Sequence, residues 1–261
     1  MNVILTIAGS DSGAGAGIQA DIKTALSLGV YATAVITALT AQNTVEVADI
    51  MQVPSYFVEK QLDCVFTDLF PDAVKIGMLF DSEIVTMVTD KLKQYKVKKI
   101  VVDPVMCATS GKMLLDEPGR QALRNKLLPL AQIITPNIPE AEVLWGRDIT
   151  NERQMEQAAR DISHMLGGAA VLVKGGHMTG ASDVLFDQNK TVWFVADPVD
   201  NPNTHGTGCT LSSAIACYLA KGLPKEESVR RAKQYLTGAI HAGLNLGKGP
   251  GPLNHGYHYW S

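Results

Sequence analysis

The chain has 261 residues, 46% of them hydrophobic and 19% charged, so it can bury a sizeable core and wholesale disorder is disfavoured. Its formal net charge of -3 offers no strong positive field for a nucleic-acid backbone, and a small ligand is the better expectation. No apolar stretch is long enough to cross a membrane, and the N-terminus lacks a signal-peptide pattern. The four cysteines form no Cys-x-x-Cys pair, and Cys64, Cys107 and Cys217 are predicted to be free thiols in the reducing cytoplasm, whereas Cys209 is a candidate for a chemical role.

Short apolar runs alternate along the chain with longer amphipathic stretches. Strands are predicted at residues 3–7, 32–39, 73–76, 100–102, 133–134 and 171–173, and a hairpin at 184–186 and 192–195. Helices are predicted after the first strand and at residues 56–69, 82–94, 122–128, 154–166, 209–220 and 226–244. This repetition predicts one α/β domain over residues 1–261, with a mostly parallel central sheet covered by helices on both faces. In such sheets ligands bind at the carboxyl ends of the strands.

The first candidate ligand segment, GSDSGAGAG at residues 9–17, lies between a predicted strand and a predicted helix. Its glycines allow the backbone to approach a ligand closely, next to a helix N-terminus. Residues 15–20 also match a loose dinucleotide fingerprint. That interpretation requires an acidic residue at the end of the second strand, where the chain has Ala-Leu-Thr at 38–40. Ligand contact and a simple tight turn therefore both remain open.

The second candidate, NTHGTGCT at residues 203–210, leads directly into an apolar helix. Backbone N–H groups of Gly206, Thr207 and Gly208 would form an anion hole there, strengthened by the helix dipole. Cys209 lies in the first turn, where we expect a thiol to have a lowered pKa. An ordinary glycine turn with a buried cysteine is the alternative. P-loop and protein-kinase motifs are absent, so any phosphoryl transfer needs another architecture.

The Gly-Thr-Gly-Cys segment at 206–209 resembles the Gly-Thr-Gly-Asp anion hole of ribokinase-like kinases. Cysteine in place of aspartate is typical of their hydroxymethylpyrimidine and phosphomethylpyrimidine kinase branch. Other segments similar to that branch follow in order at residues 9–12, 15–21, 37–44, 75–78, 103–106, 135–141, 173–177 and 251–255. One departure is SGAGAG at 12–17, where the branch usually has Ser-Ser-Gly-Gly-Ala-Gly. Small residues replace small residues, so we expect a local change in the loop and no loss of function.

The resemblance implies phosphoryl transfer from Mg-ATP to the hydroxymethyl group of 4-amino-5-hydroxymethyl-2-methylpyrimidine, then to the resulting monophosphate, in thiamine biosynthesis. It implies that Gln42 reads the aminopyrimidine edge, because an amide offers both a donor and an acceptor. It also implies that Met78 lines the ring, that the Gly9 backbone is close, and that Asp21 bonds the substrate hydroxyl. Without the resemblance, Gln42 is interpreted as a solvated loop residue and Asp21 as a charge stabilising a helix start.

The resemblance also implies the phosphate end of the site. Asp103 and Glu140 are assigned to Mg²⁺, which prefers hard oxygen ligands, and Asn137 and Thr207 to ATP. Lys174 is assigned to ATP and to the phosphoryl group in transfer, whose charge its ammonium would neutralise. The alternatives are an acid in the first turn of a helix for Glu140 and a surface lysine for Lys174.

Three alternative functions remain open. The first is a pyridoxine or pyridoxal kinase of the same branch, although Gln42 and Asn43 favour the pyrimidine. The second is a non-catalytic binding protein on a kinase scaffold. The third is a hydrolase with Cys209 as nucleophile, which needs a neighbouring base. His205 is close in sequence, but we interpret it as a turn residue.

The last residues contain His255 and His258, a possible metal pair, yet a flexible polar tail is the preferred interpretation. The branch is commonly dimeric, and the resemblance therefore implies a homodimer.

Overall fold

The computed structural model describes residues 1–107, 113–176, 182–195 and 201–259. Its strands are β1 Val3–Asp11, β2 Tyr31–Gln42, β3 Val47–Gln52, β4 Ala73–Ile76, β5 Ile100–Val102, β6 Ile133–Ile134, β7 Ala170–Val173, β8 Asp183–Asp187 and β9 Lys190–Phe194. Its α-helices are α1 Gly17–Ser27, α2 Ser55–Asp68, α3 Ser82–Gln94, α4 Glu117–Ala122, α5 Ile138–Trp145, α6 Glu152–Met165, α7 Thr207–Ala220 and α8 Lys225–His241. Within these ranges no helix combines the length and apolarity required to span a bilayer.

All nine strands of the described residues belong to one sheet with the order β3-β2-β1-β4-β5-β6-β7-β8-β9. The six strands from β2 to β7 in this order pair in parallel. β3 pairs antiparallel with β2 at one edge, and β8 and β9 form an antiparallel hairpin at the other. The predicted α/β class with a mostly parallel sheet is confirmed, and the six parallel strands all end at the same edge.

Neighbouring residues of the central strands pack on opposite faces of the sheet. Val102 and Ile134 belong to the core beneath α2, α3, α5 and α6, whereas Val101 and Ile133 pack with α7 and α8. All four side chains are buried, and burial of each contributes about 1.5–3 kcal/mol. Strands buried on both faces lack alternation of polar and apolar residues, which explains their continuous apolar runs.

Two elements are absent from the prediction, and one begins earlier than predicted. The antiparallel edge strand β3 is largely exposed, so it lacks an apolar run. The helix α5 is only eight residues long and begins at a capping box formed by Asn137 and Glu140. The predicted helix at 122–128 begins at Glu117 and widens into a π-helical turn over Leu123–Leu127.

The C-terminal segment packs against the helices, so the prediction of a flexible tail is wrong. His255 is buried, and its Nε2 lies 2.9 Å from Thr210 Oγ1 on α7. Its backbone carbonyl accepts hydrogen bonds from Ser27 Oγ at 2.6 Å and Tyr235 Oη at 2.8 Å. Burial lowers the pKa of His255 to about 4. These bonds connect the segment to α1, α7 and α8.

Candidate active site

A cleft of about 870 Å³ crosses the carboxyl ends of the parallel strands. In the spatial order of the sheet, its lining includes Gln42 at the end of β2, Gly9 in β1, Met78 after β4, Asp103 after β5, Asn137 after β6 and Lys174 after β7. The cleft is also lined by Glu140, Gly206, Thr207, Gly208 and Cys209. Apart from Asp21, the residues assigned to the substrate therefore share one cleft with the residues assigned to the phosphates. Of the motif at 173–177, His177 lies outside the described residues.

The two glycine-rich segments pack directly against each other. A Cβ at Gly15 would lie 2.2 Å from the His205 ring, and a Cβ at Gly206 would lie 1.9 Å from the Gly15 carbonyl oxygen. Gly206 also has φ 86°, a left-handed conformation that disfavours other residues. The first loop is therefore a tight turn, as one of the two alternatives predicted, and its residues Ser10 and Asp11 line the cleft. Ligand contact by this loop stays a prediction.

The N-terminus of α7 opens into the cleft at Thr207. Its N-cap is Gly206, which has no side chain to satisfy the first N–H groups. A Cβ at Gly208 would lie 3.3 Å from both Asp103 Oδ2 and Lys174 Nζ. The helix start thus combines a positive dipole end with a cation, as an anion site requires.

The thiol of Cys209 is less acidic than the sequence suggested. Burial raises its pKa to about 11, although the Lys75 charge and a hydrogen bond from the Gly17 N–H partly oppose the rise. The expected lowering at a helix start is wrong here because the loss of hydration outweighs the dipole. Cys209 is therefore mainly a neutral thiol at neutral pH.

Lys174 and Asp103 form an ion pair that faces the cleft. Lys174 Nζ donates to Asp103 Oδ1 at 2.8 Å, and Thr135 Oγ1 donates to the same oxygen at 3.0 Å. Burial alone would lower the pKa of Lys174, but the charges of Asp103 and Glu140 outweigh it and raise the pKa. The interpretation of Lys174 as a surface lysine is wrong, because its side chain is only 15% exposed.

Glu140 has a structural role and also lines the cleft. Its Oε2 accepts from the Asn137 N–H at 2.9 Å, and Asn137 Oδ1 accepts from the Glu140 N–H at 2.8 Å. Burial raises the pKa of Glu140 to about 7; the Lys174 charge lowers it and the Asp103 charge raises it. The first-turn interpretation and the cleft position are therefore compatible.

The donor chemistry of Asp103 and Glu140 fits Mg²⁺. A buried carboxyl with a raised pKa is stabilised in its charged form by a nearby cation. No cluster of three His, Cys, Asp or Glu residues suited to a metal occurs in the described ranges. Mg²⁺ in phosphate-transfer sites is usually held by one or two carboxylates together with substrate phosphates, so two carboxylates suffice.

Asp21 lies outside the cleft, which contradicts its assignment to the substrate hydroxyl. Its side chain is fully buried, and Lys75 Nζ donates to both carboxylate oxygens, at 2.9 and 2.8 Å. Ser213 Oγ on α7 donates to it at 2.6 Å, and the Thr6 hydroxyl on β1 donates as well. With every oxygen occupied inside the core, Asp21 is a structural residue. The sequence could not reveal this because two of the partners, Lys75 and Ser213, come from distant elements.

At the β2 end of the cleft, Gln42 belongs to a network that the sequence analysis missed. Thr40 Oγ1 lies 3.1 Å from Gln42 Oε1, and His205 Nε2 lies 3.3 Å from Gln42 Nε2. His205 Nε2 also lies 3.0 Å from Asp11 Oδ2. The available signal was the placement of Asp11 and His205 inside the two glycine-rich segments. His205 was interpreted as a turn residue, yet its side chain lines the cleft.

Gly9 and Met78 form an uncharged part of the lining of the cleft that also contains Gln42. A Cβ at Gly9 would lie 3.2 Å from Met78 Sδ, so a side chain there would press on the methionine. Thr37 Oγ1 donates to the Met78 carbonyl at 2.7 Å and fixes the backbone. A flat ring bound here would contact the Met78 thioether and the Gly9 backbone rather than a charged group.

The chain is similar along most of its length to known proteins. The phosphomethylpyrimidine kinase family model matches residues 11–254. The chain is 51% identical to the thiamine biosynthesis bifunctional protein ThiED of Geobacter sulfurreducens, over 97% of this chain and 52% of that protein. It is 49% identical to the hydroxymethylpyrimidine/phosphomethylpyrimidine kinase of Rhizobium meliloti, over 99% and 98% of the two chains. The ADP complex of Bacillus subtilis pyridoxal kinase aligns with a TM-score of 0.91 at 35% identity, over 100% of both chains.

The chain thus spans about half of the Geobacter protein and nearly all of the Rhizobium protein. The fold likeness to the Bacillus kinase confirms the predicted ribokinase-like architecture. The matched model covers most of the chain, and close relatives cover nearly its full length. This chain belongs to the phosphomethylpyrimidine kinase family.

Proposed function

We propose that this protein uses ATP to phosphorylate 4-amino-5-hydroxymethyl-2-methylpyrimidine and then phosphorylates the monophosphate to the pyrophosphate, in thiamine biosynthesis. The observation that carries the proposal is the shared cleft, with the Gln42 amide at the β2 end and a cation beside a helix N-terminus at the other. The relatives named as hydroxymethylpyrimidine/phosphomethylpyrimidine kinases support this substrate.

In the proposed complex the aminopyrimidine ring lies against Gly9 and Met78, and its polar edge bonds the Gln42 amide. This places the 5-hydroxymethyl group toward α7. ATP lies in the same cleft near Asn137, Lys174 and Thr207, all of which line it. Because both reactants are held in one cleft, positioning supplies much of the rate acceleration.

The residues around the start of α7 stabilise charge that develops on the transferring phosphoryl group. Backbone N–H groups of Gly206 to Cys209 and the Lys174 ammonium supply donors and a fixed positive charge. Such preorganised groups cost no reorganisation when the reaction occurs. Lys174 can leave Asp103 for a phosphate oxygen because the pair faces the cleft.

Asp103 and Glu140 would hold Mg²⁺ together with the triphosphate of ATP. When bound, the metal ion neutralises phosphate charge. Glu140 is preset for this role by its cap hydrogen bond with Asn137, which fixes the carboxylate at the cleft wall. Asp103 is fixed similarly by Thr135.

Cys209 is proposed as the proton acceptor for the hydroxymethyl group in the first transfer. With a thiol pKa of about 11, only a small fraction is thiolate at neutral pH, and that fraction rises tenfold per pH unit. The second substrate is a phosphomonoester, already mostly ionised at pH 7, and needs no base. The two transfers should therefore differ in their dependence on pH and on Cys209.

The direct test is an assay of ATP consumption and product formation with the aminopyrimidine alcohol and its monophosphate, in wild type and Gln42→Leu. We expect wild type to convert both. Gln42→Leu should weaken aminopyrimidine binding by about 1–3 kcal/mol, or roughly 5- to 150-fold, while ATP affinity stays the same. Gln94→Leu, exposed and outside the cleft, is the matched control. Unchanged aminopyrimidine affinity in Gln42→Leu would exclude Gln42 as the residue that hydrogen-bonds the aminopyrimidine edge.

Pyridoxal phosphorylation is the second candidate, favoured by the likeness to Bacillus subtilis pyridoxal kinase. Turnover on the aminopyrimidine alcohol and on pyridoxal at equal ATP separates the two. Greater kcat/KM for pyridoxal would reverse the assignment of the substrate.

We also propose a cytoplasmic homodimer. Leu39 and Met51 face each other across β2 and β3 and are 38% and 61% exposed, and Tyr56 and Phe57 at the start of α2 are also exposed. Such an apolar surface favours a second copy of the chain. Sedimentation of wild type and Met51→Lys tests the dimer, and a monomeric wild type would refute it. Cell fractionation tests the cytoplasmic location.

A further inference from the structure

We infer that Asp11 and His205 fix the orientation of the Gln42 amide and so decide which ring edge this end of the cleft accepts. The inference rests on the proposed function, in which Gln42 reads the substrate edge. It makes Asp11 and His205 positioning residues for specificity, acting through Gln42.

The first step concerns the proton on His205. Asp11 Oδ2 accepts from the Gly15 and Ala16 N–H groups at 3.0 and 2.8 Å, and Oδ1 accepts from Gly13 N–H at 2.8 Å. Burial opposes ionisation, but hydrogen bonds from His205 and from the loop hold the pKa of Asp11 below its ordinary value. An ionised carboxylate only accepts, so His205 Nε2, at 3.0 Å, must carry a proton. This holds for both the neutral and the charged imidazole.

The second step concerns the end of the amide that faces His205. Gln42 Nε2 lies 3.3 Å from His205 Nε2. With a proton on His205 Nε2, the His205 N–H and the Gln42 NH₂ group would face each other, and both are donors. The oxygen and nitrogen ends of an amide have nearly the same shape, so a 180° rotation resolves the conflict. Gln42 Oε1 then faces the His205 N–H, whose single proton is donated mainly to Asp11 Oδ2 and is shared with Oε1 as the weaker branch of a three-centre bond.

The third step concerns Thr40 at the other end of the amide. Its Oγ1 lies 3.0 Å from the Ser10 carbonyl oxygen and 3.1 Å from the Gln42 amide. One hydroxyl carries one proton and cannot donate to both. Donation to the Ser10 carbonyl leaves the Thr40 oxygen as an acceptor for the Gln42 N–H of the rotated amide. The orientation that His205 favours is therefore one that Thr40 can also satisfy.

The backbone of Gln42 cannot relieve this constraint. Ser12 Oγ accepts from the Gln42 N–H at 2.8 Å and donates to its carbonyl at 2.7 Å. The amide can therefore turn, but it cannot shift along β2. Its remaining acceptor site lies on the His205 side and its remaining donor on the Thr40 side.

This order matches one kind of heterocycle edge. A 4-aminopyrimidine presents an amino donor beside a ring-nitrogen acceptor and pairs with the amide in one direction. The 4-oxo analogue presents a carbonyl acceptor beside a ring N–H donor, which is the reverse pattern. With the ring in the same pose, the 4-oxo analogue would require the Gln42 N–H to face the His205 N–H, so the network rejects it.

The experiment compares calorimetric affinities for the 4-amino alcohol and its 4-oxo analogue. His205→Leu frees the amide to rotate, so we expect the preference for the 4-amino compound to fall at least tenfold. His205→Gln supplies an N–H near the same position and should restore most of that preference. Affinity for a non-hydrolysable ATP analogue and the melting temperature serve as controls. An equal loss for both pyrimidines would mean that His205 only packs against Gly15, which overturns the inference.

The proton on His205 is also tested in wild type by ¹⁵N NMR of the imidazole. A proton on Nε2 is expected, and a neutral ring with its only proton on Nδ1 would overturn the inference even if His205→Leu does not fold.

Gln42→Leu separates the proposed role of Gln42 in substrate binding from its positioning by His205. Unchanged 4-amino affinity there refutes the proposed role of Gln42 itself. A loss there, combined with unaltered discrimination in His205→Leu, refutes only the positioning by His205.

Discussion

Two lysine–aspartate pairs flank the start of α7, and they differ in exposure rather than in chemistry. The Lys75–Asp21 side chains are both 0% exposed, whereas those of Lys174 and Asp103 are 15% and 3% exposed. The shortest N–O distance is 2.8 Å in both pairs. We call them the sealed pair and the open pair.

The difference shows what access to a ligand does to an ion pair. In the sealed pair, burial alone would lower the pKa of Lys75, but the Asp21 charge outweighs it and raises the pKa. Its hydrogen bonds join α1, β1, β4 and α7, and neither partner lines the cleft. The open pair lines the cleft, and we propose that its Lys174 exchanges Asp103 for a phosphate. The same two residue types therefore serve structure in one place and are proposed to serve catalysis in the other.

The largest effect is expected for Lys75→Met, which leaves the Asp21 charge buried without a cation. Loss of one partner of a buried pair costs about 3–5 kcal/mol in the free energy of unfolding. Adding Asp21→Asn should recover much of that loss, because no buried charge remains. Urea unfolding measures both variants. Lys190→Met, which removes the exposed Lys190–Glu226 pair, is the control and should cost at most about 1 kcal/mol. A similar small cost for Lys75→Met would contradict a structural role for the sealed pair.

Lys174→Ala breaks the open pair and should lower kcat for both transfers by about 10²–10³-fold, since both transition states gain charge on the phosphoryl group. Aminopyrimidine affinity should remain unchanged. Single-turnover rates with each substrate at saturating ATP measure the effect, and Lys174→Arg should retain part of the rate. Normal rates in a folded Lys174→Ala protein would place Lys174 outside the reaction.

Cys209 lies between the pairs, since the charges of Lys75, Asp21 and Asp103 all act on its thiol. Cys209→Ala should slow the first transfer about 10²-fold and the second less than twofold. In wild type the first rate should rise with pH toward about 11, because the thiolate is the active form. The variant should lose that rise. Equal slowing of both transfers would mean that the thiol supports only the packing of the anion hole.

The smallest expected effect belongs to Glu140 beside the open pair. Its pKa is about 7 in the folded protein, against 4.5 ordinarily. Between these values the folded state binds more protons than the unfolded state, so the stability this group contributes is lost as pH rises through about 7. Glu140→Gln keeps an acceptor for the Asn137 N–H and should lack this loss. Urea unfolding at pH 4.5 and at pH 7.5 compares the variants, and parallel pH dependence would contradict the shift.

Local patterns predicted most of the fold because they depend on neighbouring residues. The helix at 82–94 has the predicted bounds, since Asp81 caps it and its apolar residues recur at helical spacing. The edge strand β3 was not predicted, because an exposed strand needs no apolar run. The helix α5 is short, and its signal lies mainly in the cap formed by Asn137 and Glu140.

The sequence by itself determined the α/β class, the two glycine-rich segments and, through resemblance, the residues that line one cleft. Tertiary structure alone decided that Asp21 is sealed, that the Cys209 thiol is weakly acidic and that His205 faces Gln42. The physical reason is that secondary structure follows from short-range periodicity. Burial, pKa and hydrogen-bond partners depend instead on distant segments, such as Ser213 bonding to Asp21 across 192 positions.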